Sequence, residues 1–148
     1  MIDYEGLFFD EETIKYLHSL ESKTLECEND ILHITYVYKP SINEIYDDIV
    51  GNYYDIYLVG YANDGKNSGF EVELPQELDK YYHNVDIDKP DILKKPHLTV
   101  SLSKDSEPVH TNKLNFKPLE NKIKLKARFG YWIKEEDREY LSFDKYKK

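Results

Sequence analysis

A chain of 148 residues carrying 20 Lys plus Arg against 29 Asp plus Glu has the size of one domain and a formal charge of -9, which opposes adhesion to long polyanions such as double-stranded DNA. Its 40% apolar and 14% aromatic content, with only six Gly and six Pro, excludes disordered and low-complexity classes. The lone Cys27 excludes an intramolecular disulfide framework and a thiolate metal cluster, and points to a reducing, cytoplasmic compartment.

The opening MIDYEGLFFDEE has no basic segment ahead of an apolar one, and no run approaches the roughly eighteen apolar residues of a membrane span, so no membrane partner is expected. Phe9 to Leu20 begins with acidic residues and repeats Ile14, Leu17 and His18 on one side, which predicts a first helix. Ile31 to Lys39 reads as a strand stopped by Pro40. After it, SINEIYDDIVG combines a Ser41/Glu44 capping box with Ile42, Ile45, Tyr46, Ile49 and Val50 at helical spacing and predicts a second helix ended by Gly51. Tyr54 to Leu74 reads as a hairpin around the turn formers of NDGKNSG, and Pro75 starts a short helix.

The second half repeats the plan: a polar stretch, VDIDKPDILKKP, leads to a strand from His97 to Ser103, then to strands near Leu114 to Leu119 and Ile123 to Ile133. The tail SFDKYKK is expected to fray. No composition shift marks a boundary, so residues 1-148 are expected to be one domain with two similar lobes sharing one core.

Two stretches concentrate the chemistry, LHITYVYKP and PHLTVSLSK. On a strand, residues two apart share a face, so His33 projects with Thr35 and His97 with Thr99. Strict alternation then puts Ser101 and Ser103 on the His97 face, and Leu32, Ile34, Tyr36 and Tyr38 opposite His33. A single such triplet is commonly a half-buried polar pair. From five histidines and five threonines, however, roughly 0.2 triplets arise by chance, so two, both opening apolar strands, favour a site. Near neutral pH one imidazole can act as a base while the other is the charged acid, each contributing about 10² to 10⁴ in rate. A phosphodiester fits this pair: one histidine activates a water or ribose 2′-hydroxyl, the other protonates the leaving oxygen, and the threonines donate to the non-bridging oxygens. The scheme calls for no metal and no cofactor.

The paired motifs His33-Ile34-Thr35 and His97-Leu98-Thr99 resemble those of the two-histidine (2H) phosphoesterase superfamily. The resemblance spans nearly the whole chain and implies an α+β, bilobal fold: two antiparallel sheets related by a pseudo-twofold around a central cleft, with helices outside. Within the superfamily, VGYANDGKNSGFEVELP ahead of PHLTVSLS is similar to phage anti-CBASS proteins, which hydrolyse the cyclic oligonucleotide signals of bacterial immunity and would act in the host cytoplasm. PVHTNKL after the second motif is similar to the cyclic phosphodiesterase domain of fungal tRNA ligases, which opens 2′,3′-cyclic phosphate ends of RNA. The expected function is therefore hydrolysis of cyclic oligonucleotides, with RNA-end opening or nucleotide binding without catalysis as alternatives. His33, Thr35, His97 and Thr99 are the expected catalytic residues.

An acidic chain with fourteen tyrosines suits a small nucleotide held by stacking, at about 1 to 3 kcal/mol per base. Tyr4, Tyr36, Tyr61 and Trp132 are candidate stacking residues, and Ser101 a further binding residue. Lys124, Lys126 or Arg128 could neutralise a phosphate, though alternate basic positions equally suit a solvated strand face. Elsewhere His18, His83 and His110 lack ligand spacing, Asp86, Asp88 and Asp91 fit no calcium loop, and Cys27 between Glu26 and Glu28 is poorly placed for a low thiolate pKa.

Overall fold

A computed structural model describes residues 1–146. Its strands in chain order are β1 (Ile2–Phe8), β2 (Cys27–Glu28), β3 (His33–Tyr38), β4 (Tyr53–Asn63), β5 (Asn67–Glu73), β6 (Val85–Asp86), β7 (Lys89–Leu93), β8 (His97–Leu102), β9 (Lys117–Glu135) and β10 (Arg138–Ser142). One α-helix, α1 (Glu11–Ser19), follows β1. Asp10 caps it by accepting from the Thr13 amide at 2.8 Å, and Leu17 on its inner face is fully buried. The helix expected from Phe9 to Leu20 is therefore present, shortened by its cap.

The chain is α+β in the sense of a mostly antiparallel sheet with few helices. Where two sheets are expected, the strands run as one ladder in the order β2-β8-β5-β4-β9-β1-β3, with β10 added to β9 and β6-β7 forming a separate hairpin. The cause is β9, nineteen residues long. Its first part pairs with β4, from Tyr61↔Lys117 to Tyr53↔Arg128, and its last part pairs with β1, from Phe8↔Arg128 to Ile2↔Ile133, so one strand joins both ends of the sheet. The strands expected near Leu114 to Leu119 and from Ile123 to Ile133 run as one, yet the ladder with β4 is irregular where they are expected to part, Leu58 pairing with Ile123 and Gly60 with Pro118. No helix among the described residues is long and apolar enough to cross a membrane.

The second predicted helix does not form. Ser41 and Glu44 do make their capping box, but the helical turn stops at Ile42–Glu44 because Ile45 is extended. Low-propensity β-branched and aspartate residues follow, and Asp47 and Asp48 are occupied by tertiary bonds from the Tyr131 and Tyr81 hydroxyls at 2.6 and 2.8 Å. Tertiary partners outbid local capping here. Pro75 likewise opens only a 3₁₀ turn, Gln76–Tyr81. The tail is not loose as far as it is described: Tyr146 packs against the core and Phe143 lies against Gly130. Lys147 and Lys148 of the fraying tail lie outside the described residues.

The sheet curls, so β3 and β8, distant in strand order, approach each other without pairing. Asn29, in the segment that leads from β2 into β3, is held to β8, its amide donating to the Val100 carbonyl at 3.1 Å and its side chain to the Thr99 carbonyl at 2.9 Å. The curl buries Leu7, Leu32, Ile34, Tyr36, Leu98, Val100 and Phe129 in one apolar core and leaves a cleft on the other side of the two motif strands.

Candidate functional site

Both motif strands carry the same backbone irregularity at the same place. In the β1–β3 ladder Glu5 pairs with Val37 and Gly6 with Thr35, so Tyr36 is an extra residue. In the β5–β8 ladder Ser68 pairs with Ser101 and Gly69 with Thr99, so Val100 is extra. Each is a β-bulge immediately after the motif threonine, and each threonine faces a glycine. A Cβ on Gly6 would run into the Ile34 carbonyl and one on Gly69 into the Leu98 carbonyl, both closer than side chains tolerate. Glycine is thus required at both positions by close backbone approach.

The bulges reverse the alternation beyond each threonine. Val37, expected on the His33 side, is buried in the core, while Tyr38, expected in the core, lines the cleft. On β8 the same reversal turns Ser101 away from Thr99. Ser101 is fully buried, donates to Glu21 Oε1 at 2.7 Å and lies 2.7 Å from the Ser68 hydroxyl. It is not a cleft residue, contrary to expectation. Nor is Tyr61, whose hydroxyl donates to the other Glu21 oxygen at 2.7 Å. The sequence pattern could not show either bulge, because a bulge depends on the partner strand.

The cleft, about 670 Å³, is lined by His33, Thr35, His97 and Thr99 together with Tyr4 and Trp132. All four expected catalytic residues and two of the five expected stacking or binding residues, Tyr4 and Trp132, therefore meet in one place. A second depression of about 540 Å³, beside Asp55 and Pro75, contains none of them. Tyr4 stacks on the His33 ring with centroids 4.5 Å apart and planes 27° from parallel, and Trp132 continues the row 6.1 Å from Tyr4. Burial raises the Tyr4 phenol well above its usual value, with Asp3 and Glu139 adding to the effect, so it stays neutral.

The imidazoles are oriented alike. His33 Nδ1 faces the Ile31 carbonyl at 3.5 Å and His97 Nδ1 faces the Lys95 carbonyl at 2.6 Å. A carbonyl only accepts, so both Nδ1 atoms carry hydrogen and each Nε2 is left to take or give a proton. Burial pushes the His33 pKa down from 6.5 to about 4, and the neighbouring His97 and Lys94 press the same way. His97 is also lowered, by burial first and then by Lys94, against the opposing pull of the Lys95 carbonyl and Asp86. The free site thus holds neutral imidazoles at neutral pH.

Lys94 is a cleft residue that the sequence reading does not single out. It is 6% exposed, lines the cleft, donates to the Tyr36 carbonyl at 3.1 Å and lies 3.6 Å from Asp86. It therefore holds the β3 bulge from the segment that leads into β8, and burial lowers its pKa. The available signal was its place three residues before His97, within KKP. Local spacing does not mark Asn29 either, because its partner on β8 is seventy residues away.

The basic run of β9 does not reach the cleft. Lys124 and Lys126 pair with Asp55 at 3.5 and 3.2 Å, and Arg128 lies over the Tyr53 and Phe143 rings with its Nε donating to the Gly51 carbonyl. Tyr36, fully buried in the core, is no stacking platform. No protein-family model matches the chain, and no curated protein matches it.

Proposed function

We propose that the chain is a phosphodiesterase of the two-histidine type, hydrolysing a cyclic oligonucleotide. The observation that carries this reading is the meeting of His33, Thr35, His97 and Thr99 in one cleft, each pair presented by a strand with the same bulge, the same facing glycine and the same Nδ1-to-carbonyl bond. The repeated device supports two pseudo-repeated lobes built around the cleft.

In the proposed reaction one Nε2 removes the proton from the attacking water or 2′-hydroxyl as that oxygen bonds to phosphorus. The opposite Nε2 delivers its proton to the departing ribose oxygen as the P–O bond breaks. The stronger Nδ1 bond and the Asp86 carboxylate favour the imidazolium at His97, which suits it as the acid, while the stacked and more dehydrated His33 suits the base. A bound phosphate anion raises both pKa values and brings the acid into the neutral range. Thr35 and Thr99 donate to the non-bridging oxygens.

The rim favours a small substrate over a long RNA. Among the described residues Asp3, Asp30, Asp86, Asp88, Glu107 and Glu139 line the cleft against Lys89 and Lys94. A polynucleotide extending past such a rim would meet like charge, whereas a cyclic di- or trinucleotide can place one phosphate between the imidazoles and a base against Tyr4 and Trp132.

The test is incubation with a panel of cyclic di- and trinucleotides in EDTA, beside an oligonucleotide ending in a 2′,3′-cyclic phosphate. Linear products are expected from the first group, and His33→Ala and His97→Ala are each expected to slow the reaction about 10²- to 10⁴-fold. Opening of only the RNA end would move the substrate to that class. Thermal stabilisation by a nucleotide with no product at any pH would make the chain a binding module instead.

A further inference from the structure

Behind Thr99 stand two buried polar residues outside the reaction scheme, Asn67 at 1% exposure and Thr111 at 0%. Asn67 Nδ2 lies 2.9 Å from the Glu107 carbonyl and 3.1 Å from Thr111 Oγ1, while its Oδ1 accepts from the Ser106 hydroxyl. The Glu107 carbonyl can only accept, so the amide cannot be turned over, and Thr111 Oγ1 must be accepting from it. Thr111 still has its own proton to place. Its remaining hydrogen-bond partner among the described residues is Thr99 Oγ1, 2.9 Å away.

Thr99 thereby becomes the acceptor of that bond, and its own proton has no protein partner among the described residues. It lines the cleft, and the cleft is where that proton can go. On the reading of the cleft as a phosphodiesterase site, we propose that Asn67 and Thr111 are positioning residues that fix the Thr99 hydroxyl as a donor aimed at a non-bridging oxygen of the substrate. The polarity runs in one direction, Asn67 to Thr111 to Thr99 to phosphoryl oxygen, and each donor is held by a buried neighbour. Thr35 has no comparable backing: among the described residues its hydroxyl makes no side-chain bond, so no buried neighbour fixes its direction. Thr99 is therefore the preorganised donor of the pair, and preorganisation is what lets a donor stabilise growing charge without first paying a reorientation cost.

Thr111→Val keeps the shape and removes the hydroxyl, and Thr111→Ser keeps the hydroxyl. With the cyclic di- and trinucleotide panel and the 2′,3′-cyclic phosphate oligonucleotide as substrates, Thr111→Val is expected to lower kcat about tenfold with KM within about twofold, a fraction of what deleting a whole donor costs. Thr111→Ser is expected to restore kcat. The decisive arm repeats Thr111→Val in a Thr99→Ala background, where it should change kcat no further, since there is no hydroxyl left to aim. An equal loss in that background, or an unchanged kcat in the single variant, overturns the proposal while leaving the phosphodiesterase reading intact. A wild-type chain inactive on every probe overturns that reading and the proposal together. Thermal melts of each variant identify any loss that comes from unfolding.

Discussion

The two halves of the cleft share a backbone and differ in what surrounds it. Around β3, His33 is covered by Tyr4, Trp132 extends the aromatic row, and Thr35 has no side-chain bond. Around β8 no ring stacks on His97 among the described residues, its Nδ1 bond is short, and Thr99 is backed by Thr111 and Asn67. The contrast continues beneath each strand. In β1 the residue before Gly6 is Glu5, fully buried with no side-chain partner for either oxygen among the described residues, whereas in β5 the residue before Gly69 is Ser68, joined through Ser101 to a Glu21 that Tyr61 and Ser101 satisfy. Equivalent main-chain geometry can thus serve a dry, aromatic half that suits a neutral base and a nucleobase, and a hydrogen-bonded half that suits phosphate oxygens.

The largest effect expected from breaking this contrast comes from the buried acids. Burial, with Glu44 and Asp47 pressing the same way, raises the Glu5 carboxyl from 4.5 to about 8. Since the folded value is the higher one, the stability this group permits is complete below pH 4.5 and is lost as pH rises through 8. His33 has the opposite sign, because its folded pKa is depressed: its contribution is complete above 6.5 and lost as pH falls toward 4. Between pH 4.5 and 6.5 the slopes oppose; from 6.5 to 8 His33 is neutral in both states, and Glu5 contributes a fall in urea stability of about 1.4 kcal/mol per pH unit. Glu5→Gln, nearly isosteric, should abolish that alkaline fall. The same slope in the variant would place its origin elsewhere.

The glycines test whether the shared backbone is equally demanding in both halves. Gly6→Ala and Gly69→Ala should each cost about 1 to 3 kcal/mol by urea denaturation, since the added methyl meets a carbonyl rather than a flexible side chain. Both variants should also lower kcat beyond what the stability loss explains, because the new Cβ at Gly69 presses on the Thr111 methyl behind Thr99 and the one at Gly6 presses on the Thr35 backbone itself. An unchanged kcat in either variant would mean that its threonine keeps its place without the glycine.

What could be read in advance follows from the range of each interaction. The two motifs, their strands, the α1 cap and the β4–β5 hairpin are written in local spacing, and His33, Thr35, His97 and Thr99 do share one cleft. Tyr4 and Trp132 could be named as aromatics, but not placed, because β1 itself went unread: IDYEGLF mixes charge and glycine in a strand paired on both sides. Ser101 and Tyr38 were assigned to the wrong faces by bulges that arise between strands, and Tyr61 was mistaken because its partner Glu21 is forty residues away. The SINEIYDDIVG helix failed for a related reason: its capping box is local, while the tyrosine hydroxyls that hold Asp47 and Asp48 come from distant strands.

The smallest effect, and the one confined most closely to a single half, should come from Tyr4→Leu. The ring lies 4.5 Å from His33 and contributes to the dry surroundings that hold its pKa near 4. Leucine fills much of the space but cannot cover the imidazole face or stack a base. Substrate affinity should weaken about tenfold, the low end of what one base on an aromatic face provides. The acid limb of kcat/KM, which follows the free base, should move up from about 4 toward 6.5 as water reaches His33. Among the described residues no ring of this kind shields His97, so the alkaline limb should stay where it is. Tightened binding would remove Tyr4 as a stacking platform, and a shift of the alkaline limb alone would reverse the assignment of base and acid between the two halves, whereas a shifted acid limb with the alkaline one fixed ties the base to the aromatic side.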